Sequence, residues 1–322
     1  MGKTSHVTVE GNEIYETDNN AIAMNNGDTD RFVIRHNHIH HTGLLPERID
    51  VTEGEGLYVG CHDGGCVGSN HLIEGNHIHH LQGTSVGGND EIEIKRGSHG
   101  NVVRDNVIHH TTIGTRYPCI FVYGGGPSPN TVEDNAVWAC GEAIRVGADT
   151  IVRNNVVVGS DVGISVVPHE QIPRTRRMTI TNKTVYVHRE CLYVRWEDGR
   201  DLGLANNALY CPGRRAVDAR GLDEPTARVH GNLVEGALVG VALDGVRFVA
   251  GGQARWAFRD PAGSDFWPRA GGPLIGVAVP ELVPRTDFNG AMRTPPFDVG
   301  AYQSGGREAN PGWRIASGFK SR

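Results

Sequence analysis

The sequence has no long apolar segment and no excess of one charge. Its 322 residues are 38% hydrophobic, and no stretch approaches the ~20 consecutive apolar residues that a membrane-spanning helix needs. The 31 basic and 37 acidic residues argue against the strongly charged surfaces that bind nucleic acids or membrane surfaces. We therefore expect no membrane span and no nucleic-acid partner.

Glycine is abundant instead, with 44 residues, and asparagine recurs in a fixed setting. An apolar residue stands three positions before each asparagine and another two positions after it. The repeated asparagines are Asn12, Asn37, Asn76, Asn106, Asn135, Asn155, Asn207 and Asn232, with Lys183 in the equivalent position of one repeat. Such a recurrence every 20 to 39 residues is typical of stacked coils, in which asparagine side chains hydrogen-bond along a column.

A second short strand with alternating apolar residues follows each asparagine, as in Gly56–Val59 and Glu91–Ile94. Together the two patterns predict an all-β fold, a right-handed parallel β-helix (a solenoid) of about nine coils over residues 1–245. Residues 246–322 lose the repeat and are predicted to form an irregular capping segment that packs on the helix.

The chain has no signal-peptide pattern, because Met1–Thr4 leads directly into polar sequence. The first coil begins without a protective cap, so we expect a mature or trimmed form of a longer protein that is secreted or extracytoplasmic and monomeric. Six cysteines agree with export. Cys61 and Cys66 bracket a short loop, and the pairs Cys119/Cys140 and Cys191/Cys211 stand about one coil apart. Three disulfides are therefore expected, with buried free thiols as the alternative.

The second strand also predicts an outward-facing column of side chains. Over four consecutive coils it places together Tyr58, Glu93, Lys95, Phe121, Tyr123 and Arg145, and Tyr193 continues it further along. Aromatic rings suit the faces of sugars, and fixed cations suit the carboxylates of acidic sugars. We therefore predict an acidic polysaccharide as the partner, with Tyr58, Phe121, Glu93 and Tyr193 binding it. A salt-bridged surface lysine without function is the alternative for Lys95.

The stretch Glu91–Ser98, with Asn101 and Asn106 after it, resembles the catalytic segment of β-helical polysaccharide lyases. These lyases belong to the pectate-lyase-like superfamily, and the likeness is to the alginate lyase and chondroitinase B group. The resemblance implies that Lys95 is the base, that Arg116 assists it, and that a calcium ion is held by acidic residues such as Asp90. In the predicted register Tyr123 stacks on Lys95, which leaves Arg116 in the preceding turn. Arg145 is therefore an alternative cation to Arg116.

These residue types suit β-elimination, which needs a base for a weakly acidic carbon proton and a cation for the developing negative charge. Tyr123 or Tyr58 could protonate the leaving oxygen. Asp90, Glu91 and Glu93 are the predicted calcium ligands, and without the ion their charges would keep Lys95 protonated. Other functions on this fold are a non-catalytic glycan-binding or surface protein, an epimerase and a glycoside hydrolase, the last using Glu93 with Glu91 or Asp90.

Three pairs of histidines occupy one coil position in successive turns, namely His40-His41, His79-His80 and His109-His110. Stacked imidazoles could bind a transition metal. We favour a structural interpretation, since duplication of coils propagates residues along a column, and we place these histidines away from the Lys95 column.

Overall fold

The computed structural model describes residues 3–44, 54–81, 89–111, 117–222, 226–305, 314–317, 319 and 320. Within these residues the chain winds through three stacks of short parallel strands, and each coil contributes one strand to each stack. The sequence pattern predicted two strands a coil. The structure has three because the segment around each asparagine is two strands joined by a bend, as in Val33–Arg35 and His38–His40.

Among the described residues the first stack contains nine strands, which fits the predicted number of coils. They are Thr8–Glu10, Val33–Arg35, Leu72–Glu74, Val102–Arg104, Asn130–Glu133, Thr150–Arg153, Arg176–Thr181, Arg200–Ala205 and Ala227–His230.

The second stack begins after the bend. Its strands are Glu13–Tyr15, His38–His40, His77–His79, Val107–His109, Ala136–Trp138, Val156–Val158, Thr184–Tyr186, the first parts of Ala208–Arg220 and Asn232–Val239, and Phe248–Ala250.

The third stack carries the predicted functional column. Its strands are Ile22–Met24, Leu57–Val59, Ile92–Ile94, Pro118–Val122, Glu142–Val146, Val162–Val166, Glu190–Arg195 and the later parts of Ala208–Arg220 and Asn232–Val239. A small edge sheet of Lys3–Ser5, Asp28–Asp30 and Gly68–Ser69 flanks the first coils.

The core is a set of apolar columns inside the coils. Ile34, Ile73 and Val103 pair in register on adjacent strands and are fully buried. Because one face of every strand points inward, a shift of register by one residue would expose the whole apolar column, so the alternation specifies the stacking.

The predicted asparagine column is confirmed. The Asn37 side chain donates to Asn76 Oδ1 at 3.0 Å, and the Asn76 side chain donates to Asn106 Oδ1 at 3.0 Å. The column continues through Asn135 to Asn155 and resumes between Asn207 and Asn232. Lys183 interrupts it, and burial lowers the pKa of this lysine well below its usual range.

All three predicted disulfides are present, Cys61–Cys66, Cys119–Cys140 and Cys191–Cys211. The alternative of free thiols is therefore wrong in this structure. The last two join neighbouring coils, as their spacing indicated.

After the coils, the chain folds back along the outer face of the second stack. It contains the single helical turn Ala254–Ala257, the antiparallel strands Phe258–Asp260 and Asp265–Pro268, and the 3-10 turn Pro261–Gly263. Phe258, Phe266 and Phe288 pack there against outward residues of the later coils, such as Ala136 and Tyr210. The predicted domain boundary after residue 245 stays a prediction, and Phe248–Ala250 still pairs with the last coil. Within the described part of the chain, no helix has both the length and the apolar character needed to cross a bilayer.

Candidate active site around Lys95

The third stack places the predicted column in register. Glu93 pairs with Tyr58 on one side and with Phe121 on the other, and Phe121 pairs with Arg145. Four coils thus present these side chains in sequence at the ~4.8 Å spacing of neighbouring strands. The predicted register is confirmed.

The expected exposure of this column is wrong. Lys95 is 5% exposed and Glu93 is 3% exposed, and the rings of Tyr58, Phe121 and Tyr123 are buried as well. A segment between the strands Val162–Val166 and Arg176–Thr181 lies over the column. Strand alternation shows which way a side chain points, but it does not show whether another segment crosses above it.

Two residues of this covering segment make the contacts. The His169 ring meets Tyr123 edge-on at 4.9 Å between centroids and Phe121 at 5.8 Å. Ile172 joins the same apolar cluster, and the backbones of His169 and Ile172 hydrogen-bond to each other. Neither residue belongs to the repeated pattern, so neither could be predicted from it, although the 28 residues from Asn155 to Lys183 leave room for a loop.

The Lys95 side chain lies between two aromatic rings and a carboxylate. Its Nζ atom is 2.5 Å from Glu93 Oε1, 4.8 Å from the Tyr58 ring centroid and 4.9 Å from the Tyr123 ring centroid. The Tyr123 hydroxyl donates to the same Glu93 oxygen at 3.0 Å. An amine and a phenol, the two groups that could move protons, therefore meet on one carboxylate.

The environment fixes the protonation of the phenol. Burial raises the pKa of Tyr123 well above its usual value, and the nearby Glu93 raises it further. Tyr123 therefore keeps its proton at neutral pH, and its hydroxyl is available as a hydrogen-bond or proton donor.

Two buried carboxylates face this site. Burial raises the pKa of Asp90 well above its usual range, and the charges of Glu93 and Glu55 act in the same direction. Asp90 Oδ1 and Glu93 Oε2 are buried without a hydrogen-bond partner among the described residues. Glu55 stands one coil from Asp90 and was missed by the sequence analysis.

The two orphaned oxygens test the predicted calcium site. Carboxylate oxygens are ligands that calcium prefers, so Asp90 and Glu93 fit the ion in their chemistry. Tyr58, which pairs with Glu93 in the neighbouring coil, supplies an aromatic ring and no carboxylate.

Glu91 does not join this group, and its predicted role as a metal ligand is corrected. Its carboxylate is fully buried beside the sulfurs of Cys119 and Cys140, at the inside of the corner before the strand Ile92–Ile94. Burial raises the pKa of Glu91 well above its usual range, and both of its oxygens are without a hydrogen-bond partner among the described residues. The alternation begins at Ile92, one residue later than the sequence pattern indicated.

The predicted cations are placed differently. Arg145 lies 5.4 Å from the Phe121 ring centroid, and Glu142 binds its guanidinium with contacts of 2.5 and 2.8 Å. Arg116 lies outside the described residues.

Tyr193, predicted to bind the substrate, lies four strands from Glu93, which is about 19 Å at the strand spacing. Arg195 stacks on the Tyr193 ring at 3.9 Å.

A positively charged cleft adjoins the site. It has a volume of about 350 Å³ and is lined by residues that include Arg96, Arg174 and Arg176, together with Gln171 and Ile172 of the covering segment. Arg96 directly follows Lys95 in the chain. These arginines could bind the carboxylates of an acidic ligand, and the sequence analysis did not identify them.

The stacked parallel sheets and the asparagine column define a right-handed parallel β-helix. The family described as right handed beta helix region matches residues 1–209, about two thirds of the chain. The protein therefore belongs to that family.

A solved structure of a PL6 family alginate lyase, AlyGC, is similar to this chain. The TM-score is 0.51 with 20% sequence identity, and the match covers 77% of this chain and 36% of the lyase. At this identity the likeness shows a shared fold, and this chain spans about a third of the length of that lyase. No match to a curated protein sequence was found.

Proposed function

We propose that this protein is a polysaccharide lyase that cleaves a uronate-containing polysaccharide by β-elimination, with Lys95 as the base. The observation that carries the proposal is the contact of the Lys95 amine and the Tyr123 phenol with one oxygen of Glu93. The fold that this chain shares with an alginate lyase supports it.

In this proposal Lys95 removes the proton on the carbon next to the uronate carboxylate. The electron pair of that C–H bond forms the new carbon–carbon double bond as the glycosidic C–O bond breaks, and Tyr123 protonates the leaving oxygen. Lys95 acts as the base in its neutral form, and its contact with Glu93 Oε1 at 2.5 Å holds the amine in place. Arg145 lies in the next coil but one and would attract the uronate carboxylate.

Calcium, when bound, would neutralise the substrate carboxylate and favour loss of the neighbouring proton. Asp90 and Glu93 are the residues that would hold it. The buried oxygens Asp90 Oδ1 and Glu93 Oε2, which lack a hydrogen-bond partner among the described residues, support this part of the proposal. Arg96, Arg174 and Arg176 would bind further uronates in the adjoining cleft.

A glycoside hydrolase is the second candidate. The raised pKa of Asp90 beside Glu93 favours it, because one protonated and one ionised carboxyl group are what hydrolysis of a glycosidic bond requires. The products separate the two functions. Elimination leaves an unsaturated uronide that absorbs ultraviolet light, whereas hydrolysis leaves new reducing ends without that absorbance.

The test is to follow ultraviolet absorbance while the protein is incubated with alginate, pectate and glycosaminoglycans in the presence of calcium. We expect a signal on one of them, and Lys95→Arg should reduce its rate by about 10²- to 10⁴-fold, because arginine keeps the ion pair with Glu93 but does not lose its proton. Lys3→Ala, at an exposed lysine outside the site, is the control and should keep full activity.

No absorbance on any substrate with folded protein would reject the lyase. Full activity of Lys95→Arg would reject Lys95 as the base. Secretion is also part of the proposal, since three disulfides suit an oxidising compartment. Action as a monomer stays a prediction.

A further inference from the structure

Eight histidines form a continuous layer on the outer face of the second stack. Strand register places His77 beside His38, and His79 beside both His40 and His109. Their rings stack in parallel pairs, with centroids 5.0 Å apart for His38 and His77 and 4.9 Å for His79 and His109. The layer, here called the histidine layer, consists of His38, His40, His41, His77, His79, His80, His109 and His110.

Three of these side chains converge. One ring nitrogen of each of His38, His77 and His79 lies within 4.8 Å of the others, and the Nε2 atoms of His38 and His79 are 2.8 Å apart. His77 and His79 stand two residues apart on one strand, so they point the same way, and His38 comes from the neighbouring coil. The hydrogen-bonded sheet therefore fixes all three backbones.

The neighbouring groups orient the ring nitrogens for a ligand. Glu13 Oε1 lies 3.4 Å from Nδ1 of His38 and 3.3 Å from Nε2 of His40. It can accept a hydrogen bond from the N–H at Nδ1 of His38, which leaves Nε2 of that ring with its lone pair free. Nδ1 of His79 is 2.7 Å from Nδ1 of His80, which does the same for His79. A carboxylate or other acceptor behind each histidine is the arrangement that supports metal ligands in proteins.

The sequence of this face changes where the carboxyl-terminal segment covers it. Under that segment the outward residues are apolar, among them Ala136, Val156 and Ala208. The histidines occupy the coils before its main part. Ser317 of that segment lies 3.2 Å from Nε2 of His77, and the His38 side chain remains 40% exposed. An ion can therefore reach the site from solvent without displacing the core.

We propose that His38, His77 and His79 bind a divalent transition-metal ion of the zinc class, with Glu13 positioning His38. Imidazole nitrogens suit Zn²⁺, Ni²⁺ and Cu²⁺, whereas calcium and magnesium require oxygen ligands. Three histidines leave a fourth position of a tetrahedral ion for water or another ligand.

The closest pair of nitrogens must move slightly to hold an ion. Tetrahedral zinc with Zn–N bonds of about 2.0 Å separates its nitrogens by about 3.3 Å. The Nε2 atoms of His38 and His79 at 2.8 Å would therefore move apart by roughly 0.5 Å. Rotation of the half-exposed His38 side chain supplies this movement.

A second trio, His80, His109 and His110, also has its nitrogens within 4.8 Å. His110 is exposed, and the contact between Nδ1 of His109 and Nδ1 of His110 at 2.6 Å joins two successive residues of one chain segment. No carboxylate is seen behind this trio among the described residues, so the proposal is limited to the first trio.

The experiment measures Zn²⁺ binding by calorimetry and the absorption spectrum of the Co²⁺ form, on full-length protein from which any histidine tag has been removed. We expect one ion per chain in the micromolar range or tighter and the intense visible bands of tetrahedral cobalt. His38→Gln should abolish these bands, and Glu13→Gln should weaken binding by about 10- to 100-fold. His230→Gln, outside the histidine layer, is the matched control and should bind like the wild type.

His38 is half-exposed, so its replacement should leave folding intact, and thermal unfolding of the variant checks this. Absence of Zn²⁺ binding by the wild-type protein would overturn the proposal. Binding that survives His38→Gln but is lost in His110→Gln would place the ion at the second trio and would also overturn it. Lyase activity enters neither readout, so the two proposals can fail separately.

Discussion

At the scale of single residues, Glu91 and Glu93 show how far an alternating pattern can be extended. They stand two positions apart, yet Glu93 contacts Lys95 and Glu91 lies inside the coil beside a disulfide. The strand starts at Ile92, and the corner before it turns Glu91 inward. A carboxyl group has thus replaced the small residues, such as Gly56 and Ala143, that fill the same position in other coils.

The burial of Glu91 has a consequence for stability that depends on pH. In the unfolded chain this group ionises near 4.5, but in the folded protein its pKa is raised, so the folded state holds the proton to higher pH. The unfolded state therefore binds fewer protons above pH 4.5, and stability falls as pH rises.

Glu91→Gln removes this dependence. We expect the variant to be more stable than the wild type at pH 7 by about 1 to 3 kcal/mol, and the difference to vanish near pH 4, where both side chains are neutral. Urea unfolding at the two pH values measures it. An equal difference at both would show that Glu91 is not protonated on folding.

Replacing each of the two tyrosines beside Lys95 by phenylalanine would distinguish their roles. The Tyr123 hydroxyl donates a hydrogen bond to Glu93. The Tyr58 ring instead presents its face to the Lys95 amine, with 4.8 Å between the amine and the ring centroid. If Tyr123 is the acid of the proposed elimination, Tyr123→Phe should lower kcat by about 10²-fold or more, and Tyr58→Phe should change it much less. Steady-state rates on the cleaved polysaccharide decide the matter, and the reverse order would assign the acid to Tyr58.

At the scale of elements, the asparagine column was predictable because its cause is local and periodic. Each coil repeats the same bend, the coils stack at one spacing, and an amide has both a donor and an acceptor to pass along the column. The covering segment with His169 and Ile172 repeats nothing, so the sequence offered only the long interval before Lys183. The same holds for Arg174 and Arg176, whose place in the cleft follows from the path of that segment.

The loss of stability on replacing an asparagine of the column should depend on the position of that asparagine. The Asn106 side chain donates to Ile73 O and Asn135 Oδ1 and accepts from the backbone and the side chain of Asn76. Asn106→Ala leaves these buried groups unpaired and should cost about 3 kcal/mol or more. Asn12, at the exposed start of the column, makes fewer bonds, and Asn12→Ala should cost less than about 1 kcal/mol. Chemical denaturation of both variants tests this, and similar losses would argue against a cooperative column.

At the scale of the whole molecule, the carboxyl-terminal segment is part of the fold. Arg293 is buried within it and donates to Asn154 Oδ1 of the coils and to the carbonyl oxygens of Gly300 and Ala301. Burial lowers the pKa of Arg293 to about 10, so it stays charged at neutral pH. The sequence showed that this segment leaves the repeat, but it could not show which face of the solenoid receives it, because its aromatic residues follow no period.

Arg293→Ala should destabilise the protein by about 3 to 5 kcal/mol, because it removes a buried cation and its hydrogen bonds to Asn154 Oδ1 and to buried carbonyl oxygens such as that of Ala301. Arg255→Ala, at an exposed arginine of the same segment, should cost less than about 1 kcal/mol. Thermal unfolding compares them. A small effect of Arg293→Ala would mean that the segment is held mainly by its other contacts, such as the hydrogen bonds from Asn182 and the apolar packing.

The two disulfides between coils make the length to which the molecule can be stretched depend on its oxidation state. A solenoid that is pulled at its ends unfolds one coil after another. The 25 residues from Asn12 to Asn37 correspond to roughly 90 Å of extended chain. The Cys119–Cys140 and Cys191–Cys211 bonds, with sequence separations of 21 and 20, each withhold roughly 70 Å from that extension. Reduction of the two disulfides makes these lengths extensible again. The stretched length of a single molecule would therefore report whether its surroundings are oxidising.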